Sequence, residues 1–424
     1  MRSIHGREVM TDITIVGAGA AGLATAIFAR RTNPSRSVVL LDGARQPGAK
    51  ILVSGGGRCN VTNREVTELD FWGGRRPIVR RVLRGFSASD AVDFFRQLSV
   101  PLEEEADGKL FPVTGRARDV LNALLLSAGK AGVQLLAGQR ALGVERAAEG
   151  FSVRTSDDVI MTKHVVLATG GQSLPKSGSD GAGLTFAQSL GHTIVPTTPA
   201  LVPLLLDGSH PRSIHREASG VSHDVELAVW VDGRISTRMR GSLLWTHFGI
   251  SGPVTLNASR HWLRAGLEGR AVRLTASFCP GIAFDGQERW WTAVTAARPK
   301  ASVLTALSTL VPAAVATAVL RSLAIDQTRQ LTHLARDERR TITSAILEWP
   351  LMVTASRGWN FAEATAGGVT LDEIDPATMA SRKCPGLYLV GEILDVDGRI
   401  GGFNFQWAWS SAYVAGKALG DIRN

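Results

Sequence analysis

Cysteine is scarce in this chain of 424 residues: Cys59, Cys279 and Cys384 stand far apart, with no CxxC or CxxxxC pair among them. That spacing excludes a disulfide framework and a dithiol redox centre. Metal-ligand spacing is missing too, since His210, His215 and His223 lie in a polar, loop-like stretch without a matching cysteine or carboxylate cluster; no metal site is expected. No nucleophilic triad or general-base pair stands out. The 47 basic residues exceed the 38 acidic ones by nine, yet no compact lysine–arginine tract marks a nucleic-acid channel. Arg75, Arg76, Arg80, Arg81 and Arg84 have the spacing of a solvated helix face. The opening MRSIHGREVMTD lacks the apolar stretch of a secretory signal and reads as a short disordered leader on a cytoplasmic chain. One run, Val303 to Leu320, is uncharged over 18 residues, but Pro312 interrupts it. Buried helices around a proline break explain it better than a membrane span.

What is present is a dinucleotide fingerprint. Ile13-Thr14-Ile15-Val16 runs into Gly17-Ala18-Gly19-Ala20-Ala21-Gly22 and then into Leu23 to Arg30, a strand, tight turn and helix. Gly17 allows the turn, Gly19 lets the backbone approach a pyrophosphate, and Gly22 lets helix and strand pack closely. The phosphates belong at the helix N-terminus, with Ala20 and Ala21 in its first turn. A second strand, Ser37 to Leu41, ends in Asp42, 20 residues after Gly22, where a carboxylate receives ribose hydroxyls.

Three further stretches have backbone suited to close ligand approach. Lys50 precedes Ser54-Gly55-Gly56-Gly57-Arg58-Cys59-Asn60-Val61-Thr62-Asn63; the strand His164 to Ala168 ends at Thr169-Gly170-Gly171; and the strand Gly386 to Val390 leads into Gly391-Glu392 and Asp395 to Gln406. Short strands at 134–136, 141–146, 151–155 and 159–162 read as a meander. Between the glycine-rich ends the texture changes, first to short strands, then after Phe284 to helices. The length suggests two or three domains, and the pattern a cofactor domain split by an insertion.

SGGGRCNVTN (54–63), GKLFPVTGRARDV (108–120), LATGGQSLPKSGSDGAG (167–183), THFGISGP (246–253), TAGGV (365–369) and the stretch from Gly391 to Gly416 together resemble the aminoacetone-oxidase-type, or BaiN/RdsA-type and YhiN-like, FAD-dependent oxidoreductases over nearly the whole chain. The resemblance implies an α/β fold: a Rossmann-like, two-dinucleotide-binding FAD domain interrupted by an insert with a β-rich lobe and a helical lobe. The segments are then 1–195, 196–356 and 357–424. It implies that Gly17, Gly19, Gly22 and Asp42 hold the ADP half, and that the segment from Lys50 to Asn63 lies along the cofactor. Thr169 and Gly170 flank it. Gly391, Glu392, Asp397, Gly401, Gly402, Phe403, Asn404, Phe405 and Gln406 hold ribityl and ring. Candidate groups beside the ring are Arg58 as anion anchor, Asn60 as amide donor and His247 as proton relay. Ser242, Trp245 and Ala412 depart from the family pattern, the first two on the insert.

The expected chemistry is hydride or electron transfer at flavin N5 to or from a small molecule. NAD(P)H visiting transiently, or an oxidisable amine, supplies the electrons. A flavin-dependent RNA modifier and a flavin-binding protein without turnover are the alternatives; nucleic acid is the less expected partner, and the oligomeric state is left open.

Overall fold

The β-branched run at the start of the chain builds a central strand. In the computed structural model, which describes residues 10–422 and leaves most of the expected leader outside the described residues, β1 (Thr11–Val16) pairs in parallel with β2 (Val38–Asp42). Ile13, Thr14, Ile15 and Val16 are all buried, as a parallel strand covered on both faces requires. Beyond β2 lies β3 (Gln134–Ala137), also parallel. β4 (Ala141–Arg146), β5 (Phe151–Thr155) and β6 (Val159–Leu167) form an antiparallel meander. The second half of β6 pairs in parallel with β1 and with β7 (Leu387–Leu389).

Two expectations change here. The segment at 134–136 joins the parallel edge instead of the meander, and 159–162 and 164–168 are one strand whose halves serve different neighbours. Strand patterning reports which face is buried, not which neighbour is paired.

Helix α1 (Ala20–Thr32) is buried almost throughout. A five-residue helix, α2 (Ala49–Val53), precedes the triple glycine, and the closing helix α3 (Phe403–Asp421) lies along α1. Glycines permit that approach: a Cβ on Gly416 would come within 2.7 Å of the Phe28 Cβ, and one on Gly420 within 2.5 Å of the Thr32 Cβ. Phe28, Phe86, Phe94 and Tyr413 fill the space beside this contact.

Contacts divide the chain into Met1–Thr197 with Glu363–Asn424, and Thr198–Ala362. The return to the first unit comes at Glu363, later than the 357 read from texture; Arg357 N still donates to Pro203 O in the second unit, at 3.0 Å. The second unit has an antiparallel seven-stranded sheet dominated by the hairpin of Ser222–Val231 and Arg234–Thr246. Pro253–Leu267 packs on this sheet, and four helices between Phe284 and Leu347 follow. Val303–Leu307 and Ala313–Ser322 are separate helices with Pro312 at the second N-cap. No helix among the described residues is long and apolar enough to cross a membrane.

The dinucleotide cradle and the turns that close on it

Each fingerprint glycine is held by a different constraint. Gly17 has φ +104°, and a Cβ there would lie 2.5 Å from the Ala168 carbonyl oxygen. Gly22 sits against the turn itself: its Cβ would fall 1.8 Å from the Gly17 oxygen. Gly19 differs, with an ordinary φ of −81° and nothing within 4 Å of the Cβ position. Local packing does not demand glycine there, whereas close approach by a ligand does. The first intrahelical bond of α1 runs from Leu23 N to Gly19 O, so the preceding amides project from the helix end, where the dipole favours an anion. A pyrophosphate fits this cradle. Asp42 accepts from Ala18 N and Ala44 N, each at 2.8 Å, which ties the end of β2 to the glycine turn and leaves each oxygen a further lone pair for a hydroxyl.

The closing segment reaches the same place. Gly391 (φ +75°) lies so near α1 that its Cβ would come within 2.8 Å of the Ala21 Cβ, and Trp407 Nε1 donates to its carbonyl at 3.1 Å. Beside it, Glu392 accepts from Lys50 Nζ at 2.6 Å, from Ser173 Oγ at 2.9 Å and from Thr365 N at 2.9 Å. Lys50 also donates to Ser173 at 2.7 Å. One half-buried ion pair thus joins α2, the loop after β6, the strand Ala364–Val369 and the closing turn. Ser173 and Thr365 were not singled out from sequence, although both lie inside the family motifs.

Between them runs the triple glycine. Gly55, Gly56 and Gly57 have φ of +55°, +69° and +87° and are exposed, while Ser54 Oγ donates to Ile51 O at 2.8 Å. Cys59 follows at φ +63°; its thiol is fully buried, and burial pushes its pKa up to about 12. It is neutral and unreactive at physiological pH. Arg58 and Asn60 both have partners within the chain. The Arg58 guanidinium pairs with Glu105 at 2.5 Å and stacks on Phe111 at 4.1 Å. Asn60 is an internal brace: its amide nitrogen donates to Thr62 O (2.9 Å) and Leu110 O (3.3 Å), and its oxygen accepts from Gly402 N at 3.1 Å. Asn63 adds a second tie, donating to Gly401 O at 3.1 Å.

The closing loop also divides its labour differently from the expectation. Gln406 is fully buried, accepting from Thr62 Oγ1 and donating to Phe86 O and Ser410 Oγ. Phe403 is buried against Phe71. Asn404 closes a ring of hydrogen bonds with both backbone groups of Gly398, and Phe405 stacks on Trp409 at 5.6 Å. Asp397 is buried on the short strand Val396–Gly398. The side chains of Phe403, Asn404 and Gln406 therefore build the turn. Gln406 N to Gly402 O is the first bond of α3, so the amides of residues 403–405 lie outside the helix ladder. Thr169 packs where a Cβ on Gly183 would be (1.9 Å from Oγ1), and Gly170, at φ +71°, continues the strand-end turn.

His247 belongs to the second unit. Exposed in the turn between Arg234–Thr246 and Gly249–Ser251, it packs edge-on against Phe248, ring centroids 5.1 Å apart. The described residues contain no cluster of His, Cys, Asp and Glu able to hold a metal.

With the glycine turn, the acid at the end of β2 and the converging closing turn in place, the family model described as the HI0933-like protein Rossmann domain matches residues 11–418. The chain belongs to this HI0933-like family. It is an enzyme of the FAD-binding Rossmann oxidoreductase type. Among its relatives, a 3-dehydro-bile acid delta(4,6)-reductase of Clostridium scindens is 31% identical over 97% of this chain and 100% of that protein. A ribosomal RNA dihydrouridine synthase of Escherichia coli is 31% identical over 96% and 98%. A protein of the same description from Haemophilus influenzae is 30% identical over 96% and 97%. The fold also resembles the FrdA chain of E. coli quinol fumarate reductase, at 14% identity and TM-score 0.50, covering 97% of this HI0933-like chain and 70% of that one.

Proposed function

We propose that this HI0933-like protein catalyses FAD-dependent reduction of a carbon–carbon double bond conjugated to a carbonyl. The observation that carries this reading is the meeting of the opening and closing glycine turns at Gly391 and Ala21, which gathers two sets of backbone amides in one unit. The activities named for the relatives share one chemical demand. A 3-oxo steroid with 4,6 unsaturation and a uracil ring both present C=C in conjugation with C=O, and reduction places hydride on the β-carbon and a proton on the α-carbon. When bound, FAD supplies two-electron chemistry at N5. Around it, the amides of Gly19 to Gly22 hold the pyrophosphate and Asp42 the adenosine ribose. Lys50 and Glu392 fix the strap between α2 and the closing turn. The positive end of α3 would favour negative charge on a ring bound against it. A nicotinamide donor visiting transiently is the expected reductant, with no second dinucleotide fingerprint in the sequence.

The test is anaerobic. Oxidised-flavin absorbance of the purified protein should bleach with NADH or NADPH, and return on adding a 4,6-dien-3-one steroid or uridine-containing RNA, with a product two mass units heavier. Bleaching by an amine alone, with neither acceptor restoring the colour, would overturn the reductive direction.

A second reading, in which the reducible ring is carried by RNA, is favoured by charge distribution. Residues 198–362 hold 18 of the Lys and Arg against 12 of the Asp and Glu, so +6 of the net +9 lies on the second unit. Backbone contacts by such an excess make RNA affinity fall steeply with salt. Salt-insensitive turnover on a free steroid, with no product in RNA, decides against it.

A further inference from the structure

The helix Arg76–Gly85 presents charge of one sign to the outside. No Asp or Glu stands between Asp70 and Asp90, whereas Arg75, Arg76, Arg80, Arg81 and Arg84 all fall in that stretch. With about 3.6 residues to a turn, Arg76, Arg80, Arg84 and Arg81 cover an arc of roughly 140°, and all four are exposed. Val79, Val82 and Leu83 lie on the other side, buried in the core. Arg76, Arg80 and Arg84 succeed one another at steps of about 6 Å along the axis. Arg75 is held by Asp372 at 3.1 Å, Arg80 by Glu68 at 2.9 Å, and Asp70 is taken by Arg399 at 2.8 Å. Arg76, Arg81 and Arg84 pair with no carboxylate among the described residues. Like charges three and four residues apart repel on a helix, and cations at its start oppose the dipole. The row therefore destabilises its own helix, and an anion laid along it would offset both effects. Docking on a membrane would need apolar side chains on the same face, but Ile78, Val79, Val82 and Leu83 pack into the core.

We propose that the arginine row of this helix docks the phosphate backbone of RNA on the first unit. The proposal rests on the second reading, in which RNA carries the reducible ring, and names a surface that grips it. The helix follows the strand Phe71–Gly73, which pairs with Val396–Gly398 in the closing segment, so the docking face and the dinucleotide cradle belong to one unit. Guanidinium groups bind phosphate through paired, charge-assisted hydrogen bonds. Contacts of this kind hold a nucleic acid in place without reading its bases.

The experiment follows the fluorescence anisotropy of a short, labelled, uridine-rich single-stranded RNA over a series of salt concentrations. It compares the full-length wild type with the triple variant Arg76→Gln, Arg81→Gln, Arg84→Gln. Flavin content and urea unfolding check the fold, and with like-charge repulsion relieved the variant's urea midpoint should be no lower than that of the wild type. Loss of three phosphate contacts should reduce the slope of log affinity against log salt by about 2, and the affinity itself by about 100-fold at about 0.1 M salt. A second triple variant, Arg234→Gln, Arg289→Gln, Arg298→Gln, removes the same charge from exposed positions of the second unit, and its slope should stay near the wild-type value. Equal slopes in the wild type and the first variant, or equal losses in the two variants, would overturn the assignment. So would a wild type that binds phosphatidylglycerol-containing vesicles but no RNA. Reduction of uridine in the same RNA is scored separately. Reduction with docking unchanged in the first variant refutes this surface and keeps the RNA reading; docking that depends on the row, with no uridine reduced, keeps the surface and refutes that reading.

Discussion

At the scale of single residues, Gly19 and Gly22 separate binding from folding. The Gly22 Cβ would overlap backbone, the Gly17 carbonyl oxygen at 1.8 Å, which flexible side chains cannot relieve. Gly22→Ala should therefore destabilise the protein by about 3 kcal/mol, the upper range of overpacking, measured by urea unfolding. Gly19→Val begins in open space at a φ that any residue adopts, so its apoprotein should unfold within about 0.5 kcal/mol of wild type. Its flavin affinity should nonetheless fall by at least about tenfold, read as flavin retained through gel filtration. Full retention in Gly19→Val would refute the pyrophosphate position. The packing constraints on Gly17 and Gly22 were legible in the sequence because backbone constraints are local. Arg58 was not, because a long side chain takes its partner from the fold. Glu105, 47 positions on, claims the guanidinium.

At the scale of elements, the closing turn shows where sequence reasoning stops. That the chain's last helix and Gly391 return to α1 was legible from strand, loop and helix recurring at both ends. That Phe403, Asn404 and Gln406 turn inward was not. Consecutive helical residues are spread around the axis, about 3.6 to a turn, so four successive side chains cannot all face one ligand, and motif matching does not say which do. Lys50 and Glu392 were both assigned to the cofactor, and their mutual pairing emerged only when α2 met the closing turn. With side chains 25% and 19% exposed, the pair should couple measurably. A double-mutant cycle of Lys50→Met and Glu392→Gln should give an interaction energy of about 1 kcal/mol in unfolding experiments. Each single variant should also release flavin faster than wild type. Additive effects on stability would mean that the contact does not hold the strap.

Across the whole molecule, burial of histidines sets an acid limit that neither unit escapes. His164 and His192 in the first unit, and His215, His223 and His261 in the second, all have pKa values lowered primarily by burial, His261 to about 4 with Arg260 adding to the effect. The unfolded chain takes up these protons at an ordinary histidine pKa of 6.5. Between that value and the lower folded ones, the unfolded state binds more protons, so stability rises with pH across the window. It is fully present above pH 6.5 and is lost progressively as pH falls toward about 4. Carboxylates act later: Asp12 and Glu373 are held down to about 2 by their partners, Lys163 and Ser37 for the first, Lys383, Thr193 and His192 for the second, against the opposing effect of burial. Their stabilisation disappears only below the usual carboxylate range. Urea midpoints should therefore begin to fall near pH 6.5, well above the range in which carboxylates protonate. His261→Gln, which cannot take up the proton, should flatten the upper part of that decline while leaving the carboxylate part in place. A midpoint constant down to about pH 4 would mean that the fold accommodates charged imidazoles, and that their burial does not limit the protein in acid.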